Sequence, residues 1–197
     1  MKDRMNKRTA KVLLLLLLLQ ASGCSQKMDI YEICKKGDVE ALAKLLDADP
    51  ALLNCQEVTA KWTPLNQSID SRQYKVTEYL IAKGANVNLK TIYDGTALQD
   101  AAFNIDVKTV RLLLDAGAEV NAQDSTPSRA TPLDYALLRG EHLMRDIKYP
   151  SKPKKHFVPK TPAELRAEEE ALQKIIEMLK ERGAKRGSEL VGDVRQL

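Results

Sequence analysis

Catalysis needs side chains that converge, and this 197-residue chain spreads its reactive groups thinly. Its two histidines, His142 and His156, belong to neither an HExxH helix nor the Cys/His spacing that encloses zinc. There is no glycine-rich phosphate cradle and no GxSxG elbow. The run Glu168-Glu169-Glu170 is acidic, but consecutive residues on a helix point in different directions, so it reads as a solvated face. A hydrolytic centre would have to be built from His142, His156 and Glu168. The expectation is a protein with no catalytic residues, no metal set and no cofactor.

The cysteines carry more definite chemistry. Cys24 follows a basic stretch (Lys2, Arg4, Lys7, Arg8, Lys11), an apolar run from Val12 to Leu19 and the small residues Ala21, Ser22 and Gly23. These are the zones of a secretory signal. Eight apolar residues are too few to span a bilayer as a helix, which takes about 20. Ala21-Ser22-Gly23-Cys24 resembles a bacterial lipobox, and the resemblance implies cleavage after residue 23, palmitate-type acylation of Cys24 and a short linker over residues 24–27. Leucine is commoner where Ala21 stands. An ordinary signal peptide, leaving a secreted soluble chain, is the other reading. Ser25 is not the aspartate that marks inner-membrane retention in many such lipoproteins, so the resemblance implies an outer-membrane address facing the periplasm.

Without residues 1–23 the chain holds 26 basic and 26 acidic residues, and the formal +4 belongs to the leader. The attraction that drives non-specific nucleic-acid binding is then missing, and no nucleic-acid partner is expected. Cys34 and Cys55 are the remaining thiols. In an oxidising compartment they could pair, whereas Cys34 also falls where a small buried residue is expected.

The elements that must position any site are set by self-similarity. Gly84-Ala85-Asn86-Val87-Asn88 returns as Gly117-Ala118-Glu119-Val120-Asn121, and Thr63-Pro64-Leu65 returns as Thr96-Ala97-Leu98, both 33 residues on. This period and these words resemble the ankyrin repeat, two antiparallel helices and a β-turn finger. Thr63-Pro64 and Thr131-Pro132 read as helix starts. Val107, Val110, Leu113 and Leu114 share one helical face, and Gly84 and Gly117 supply left-handed helix ends. A degenerate first unit holds Cys34, Leu45, Leu46 and Asn54, with Pro50 replacing its glycine turn. The capping Thr to terminal Gly interval is 21 residues in the second and third units and 52 in the fourth. An insertion over about 141–171 is therefore expected, within which a helix restarts at the capping box Thr161-Pro162-Ala163-Glu164 and leads into the apolar stripe Leu172, Ile175, Ile176 and Leu179 of a long last helix. The whole is an all-α solenoid of about four units over residues 28–187, with a frayed tail over 188–197.

The resemblance implies a contact surface on the concave side. Carried over position by position, it gives Trp62, Asp70 and Ser71 from the second unit, and Ile92, Tyr93, Phe103 and Asn104 from the third. The fourth contributes Arg129, Leu138 and Arg139. The only tryptophan and one of two phenylalanines are among them, which fits a binding hot spot; packing against a repeat edge is the alternative. The insertion is a second candidate surface, with Lys148, Lys152, Lys154, Lys155 and Lys160 and no acid between them, able to meet anionic head groups or an acidic partner, or to stay a solvated loop. The expected function is an envelope-anchored module that binds another protein. The chain resembles ankyrin-type lipoproteins that act as immunity proteins against a toxic effector such as a secreted phospholipase; an accessory role for a periplasmic enzyme, for example in oxidative-stress defence, is the alternative.

Overall fold

The computed structural model describes residues 29–148 and 160–194, and all regular structure among them is helical. α1 covers residues 29–36. It is followed by α2 (Val39–Ala48), a 3-10 turn (Pro50–Asn54), α3 (Pro64–Asp70), α4 (Tyr74–Ala82), α5 (Ala97–Phe103), α6 (Val107–Asp115), α7 (Pro132–Lys148), α8 (Pro162–Glu181) and α9 (Gly187–Val194). The helices pair as four hairpins, and α9 closes the row. The leader, Cys24 and its linker, and Lys152, Lys154, Lys155 and His156 lie outside the described residues.

Helices α3, α5, α7 and α8 each start directly after a threonine. Thr63 donates its N–H to Asn66 Oδ1 and accepts from Asn66 N–H, both at 3.1 Å, with Pro64 in the first turn. Gln99 Oε1 takes the Thr96 N–H at 2.6 Å, and Glu164 takes that of Thr161 at 2.7 Å. These reciprocal bonds satisfy amides that a helix start leaves orphaned.

Stacking then makes one core. Leu65 and Ile69 of α3, Leu98, Ala101 and Ala102 of α5, and Leu133 and Ala136 of α7 are buried. So are Val76 and Leu80 of α4, Val110, Leu113 and Leu114 of α6, and Leu172, Ile175, Ile176 and Leu179 of α8. First helices pack on first helices (α3 on α5, α5 on α7) and second on second (α4 on α6, α6 on α8). Each fully buried aliphatic side chain contributes about 1.5–3 kcal/mol, and a lone hairpin has nowhere to bury it.

Asparagines bolt the units together. Asn88 Oδ1 accepts the Glu119 N–H at 2.8 Å while its Nδ2 donates to the Gly117 carbonyl at 3.1 Å. Asn121 repeats the pattern with Lys185 N–H at 2.7 Å and the Gly183 carbonyl at 3.1 Å. Asn54 Oδ1 accepts the Asn86 N–H at 2.8 Å in the weaker first junction. The bolted glycines Gly117 and Gly183 sit at φ +83° and +81°, the left-handed conformation in which a Cβ is unwelcome.

One reading of the sequence is extended and one is corrected. The helix expected to restart at Thr161 is α8, and α7 continues past Glu141, so α7 runs for 17 residues where α3 and α5 have 7, and α8 for 20 where α4 and α6 have 9. The tail is not frayed from Gly187, which instead opens α9 and is buried. Its N–H donates to Asp134 Oδ2 at 2.7 Å, and Arg186 Nε reaches Asp134 Oδ1 at 2.9 Å. Composition hid this because the partner carboxylate lies 53 residues upstream.

Candidate protein-interaction surface

Three fingers precede the first helices, and main-chain bonds tie them into one edge. The first folds on the bond from Glu57 N–H to the Trp62 carbonyl, 3.0 Å, the second on Thr91 N–H to the Gly95 carbonyl, 2.9 Å, and the third on Asp124 N–H to the Ala130 carbonyl, 3.2 Å. The Glu57 carboxylate takes the Thr59 hydroxyl and the Ala60 N–H, which hold its pKa below the usual range. Between fingers, Ile92 N–H donates to the Ala60 carbonyl at 2.9 Å and Ser125 N–H to the Tyr93 carbonyl at 3.0 Å. Gln56 Nε2 spans the first junction, donating to the carbonyls of Lys61 and Lys90. Lys61, Asp94 and Arg129 close the turns with φ of +54°, +57° and +48°. With the backbone so engaged, side chains are free to point outward: Tyr93 is 72% exposed, Ile92 51% and Val58 97%.

The second part of the surface is the half-exposed stripe of the first helices. Counting from the capping threonines, the fourth residues are Gln67, Asp100 and Tyr135, the seventh Asp70, Phe103 and Leu138, and the eighth Ser71, Asn104 and Arg139. All are intermediate or exposed, whereas the second residues, Leu65, Leu98 and Leu133, are buried. A helical period with one face in the core leaves this stripe out.

Most of the residues expected at the site lie on these two parts, and not all are loose. Ile92, Tyr93, Asp70, Arg129 and Leu138 are exposed; Ser71 and Asn104 are half-buried. Trp62 is half-buried too, and its carbonyl accepts the Tyr31 hydroxyl at 3.0 Å, which ties α1 to the first finger. Phe103 is half-buried and meets Tyr135 and His142 in T-shaped contacts, with centroids 6.3 and 6.1 Å apart. The ring is thus held, not sealed. Arg139 leans towards Glu168 at 3.7 Å, and Glu168 also pairs with Lys160. Of the basic set, Lys148 and Lys160 are exposed.

Val58, Asp100, Tyr135 and His142 were missed by reading the sequence. The first finger is a residue longer than the second, which blurred the place of Val58. Tyr135 could have been found, since it follows Thr131 as Asp100 follows Thr96. His142, read as an isolated surface residue, is brought to Phe103 because α7 continues where the other first helices stop. Tyr135 Oη donates to Asp124 Oδ2 at 2.9 Å; burial, then that bond and charge, push its phenol up to about 12. Burial pushes the Asp100 carboxyl up to about 6; Asn66 Nδ2, donating at 3.3 Å, opposes this, and the charge of Asp70 adds to it.

Cys34 and Cys55 both stand as thiols in this structure, not as a bridge. Cys34 is sealed in the core, and burial, then the nearby Cys55, push it up to about 12. Cys55 Sγ lies 3.6 Å from Tyr31 Oη. Among the described residues no group of three or more His, Cys, Asp or Glu is placed to hold a metal ion, and no helix is long and apolar enough to cross a membrane. A crevice of about 360 Å³ between the third finger, α7 and α9 is lined by Asp124, Tyr135, Leu138 and Arg186, among others. Its carboxylate Asp124 is already filled by Tyr135, Thr126 and the Ala130 N–H.

A family model of ankyrin repeats matches residues 30–124 in three copies. The chain is 38% identical over 106 residues to a putative ankyrin repeat protein of Rickettsia felis, a match covering 53% of this chain and 45% of that protein. It is 30% identical over 122 residues to a probable E3 ubiquitin-protein ligase of Oryza sativa subsp. japonica, covering 62% of this chain and 27% of the relative. The chain thus spans less than half the length of either relative. With the stacked hairpins and fingers described above, the fold is an all-α ankyrin-repeat solenoid, and the fourth unit lies beyond the matched residues.

Proposed function

We propose that this solenoid is a protein-binding module tethered at the bacterial envelope through Cys24, and that it binds and neutralises a toxic effector such as a secreted phospholipase. Ankyrin repeats are protein-interaction modules, and this much is carried by the repeats themselves. The observation that supports a binding role for this surface is the rigid edge of fingers, which sets Ile92 and Tyr93 in solvent above the stripe bearing Phe103 and Leu138. Large apolar side chains held out by a fixed backbone lose little entropy on binding. The envelope address rests on the leader and lipobox pattern alone. Several acyl chains would give stable anchoring, which one chain would not.

Two experiments test this reading. Labelled palmitate should enter the wild-type chain in its native host and not Cys24→Ser; no incorporation removes the anchor. Deletion of the gene should make cells succumb to their own or a sibling's effector, with rescue by the wild type and not by Tyr93→Ala/Phe103→Ala. Deletion without self-intoxication removes the immunity role, and loss of a periplasmic enzyme's activity instead would install the accessory role.

A further inference from the structure

The exposed stripe changes character along its length. At the junction of the second and third units it is acidic. Asp100 on α5 is tied to α3 through Asn66, and Asp70 follows Asn66 by one helical turn on the same side, so the two carboxylates share a junction. Ion pairs at Arg139–Glu168, Lys160–Glu168, Arg182–Asp115 and Arg186–Asp134 lie on other parts of the molecule. What Asp100 receives from Asn66 is a neutral amide. At the next junction, between α5 and α7, the stripe is apolar: Phe103 is fixed edge-on by Tyr135 and His142, and Leu138, one helical turn from each of these on α7, is 41% exposed.

We propose that this groove takes a polypeptide segment that sets a lysine or arginine over Asp70 and Asp100 and an apolar side chain against Phe103 and Leu138. This rests on the protein-binding reading above and adds the partner's chemistry. Neighbouring helices pack about 10 Å apart, so one junction is about 10 Å from the next. A segment in the polyproline II conformation rises about 3.1 Å per residue and repeats every three residues, which puts two anchors three residues apart on one side. A partner cation relieves the like-charge crowding at the first junction, and the aromatic wall at the second is set before the partner arrives. Tyr93, on the finger edge, can cover the segment from above.

The test is selection of a random 12-residue peptide library displayed on phage against the full chain in detergent micelles, followed by affinity measurements on the selected peptides. Enriched sequences should carry Lys or Arg three residues from Leu, Ile, Phe or Trp. Asp70→Asn/Asp100→Asn, which keeps size and hydrogen bonding, should weaken them by at least about tenfold, with an unchanged helical circular dichroism spectrum. Peptides that bind this double variant as tightly as wild type, yet are lost on Tyr93→Ala or Phe103→Ala, would overturn the cation and leave the interaction surface standing. Peptides indifferent to all four substitutions, or no enrichment, would overturn both. Tyr93 is exposed, so its variant keeps the surface testable even if Phe103→Ala fails to fold.

Discussion

Phe103 and His142 meet at right angles, ring centroids 6.1 Å apart and planes at 86°, although 39 residues of chain separate them. The contact exists because α7 outruns α3 and α5 by ten residues. It also gives Phe103 two duties, one in the stack and one on the surface.

Those duties separate by mutation. Phe103→Ala should lower stability by about 1–3 kcal/mol, less than the loss for a sealed ring because Phe103 is only half-buried. It should also weaken the partner by on the order of 1–4 kcal/mol. Tyr93→Ala should weaken the partner and leave the melting curve where it was. Thermal melts beside binding isotherms check both; a Tyr93→Ala variant that melts early would show that the fingers depend on that ring.

Asp100 makes stability fall as pH rises through the acid range. Burial lifts its folded-state pKa from 3.8 to about 6, so between those values the folded chain holds a proton that the unfolded chain has released. The group is neutral in both states well below pH 3.8, and it opposes folding fully once the pH is above about 6. Asp100→Asn should therefore stabilise the protein by about 1–3 kcal/mol at pH 7.5 and by little at pH 4. Denaturant titrations at the two pH values measure this; equal effects at both would mean the carboxylate is well solvated.

Removal of an asparagine bolt should cost more than removal of an ordinary surface amide. Asn88→Ala and Asn121→Ala each delete two bonds to the next unit's backbone, a loss of about 1–3 kcal/mol. Asn88→Asp keeps the acceptor for Glu119 N–H and loses the donor to Gly117, so it should fall between. Asn121→Ala should in addition raise amide hydrogen exchange at residues 183–187. Uniform exchange along the chain would contradict a local bolt.

Gly187 is tight for space, not for backbone angle. A Cβ there would fall on the carbonyl of Arg129, main chain that cannot swing away. Gly187→Ala should cost about 1–3 kcal/mol and free α9 for proteolysis. At Gly84 and Gly117 a Cβ meets nothing within 4 Å, yet φ is +86° and +83°. Alanine there should cost about 1 kcal/mol through the backbone alone, without exposing α9. Limited proteolysis with melting curves distinguishes the two kinds of glycine.

The stack was legible where the repeat words are strict. Thr63, Thr96 and Thr161 announced their helices, and the Val107–Leu114 face its burial, because caps and periodicity are local. The half-exposed stripe was legible as an offset from those threonines, which is why Phe103 and Leu138 could be placed on it. What stayed hidden was made by distance along the chain: the meeting of Phe103 with His142, the crowding of Asp70 and Asp100, and the docking of Gly187 on Asp134. The fate of Cys34 and Cys55 was likewise open, since spacing says nothing of how two thiols face each other.

The bolt from Asn121 has a kinetic meaning. Its partners, Gly183 and Lys185, come 62 and 64 residues later, whereas Asn88 finds Gly117 after 29. The first three units can zip together from near neighbours, but the fourth must await the return of a long excursion. Doubling a loop costs only about 0.6 kcal/mol, so the detour is thermodynamically cheap and is felt mainly in time. A growing chain would therefore carry Leu113 and Leu114 uncovered until α8 arrives, a window in which a holding chaperone would find its grip.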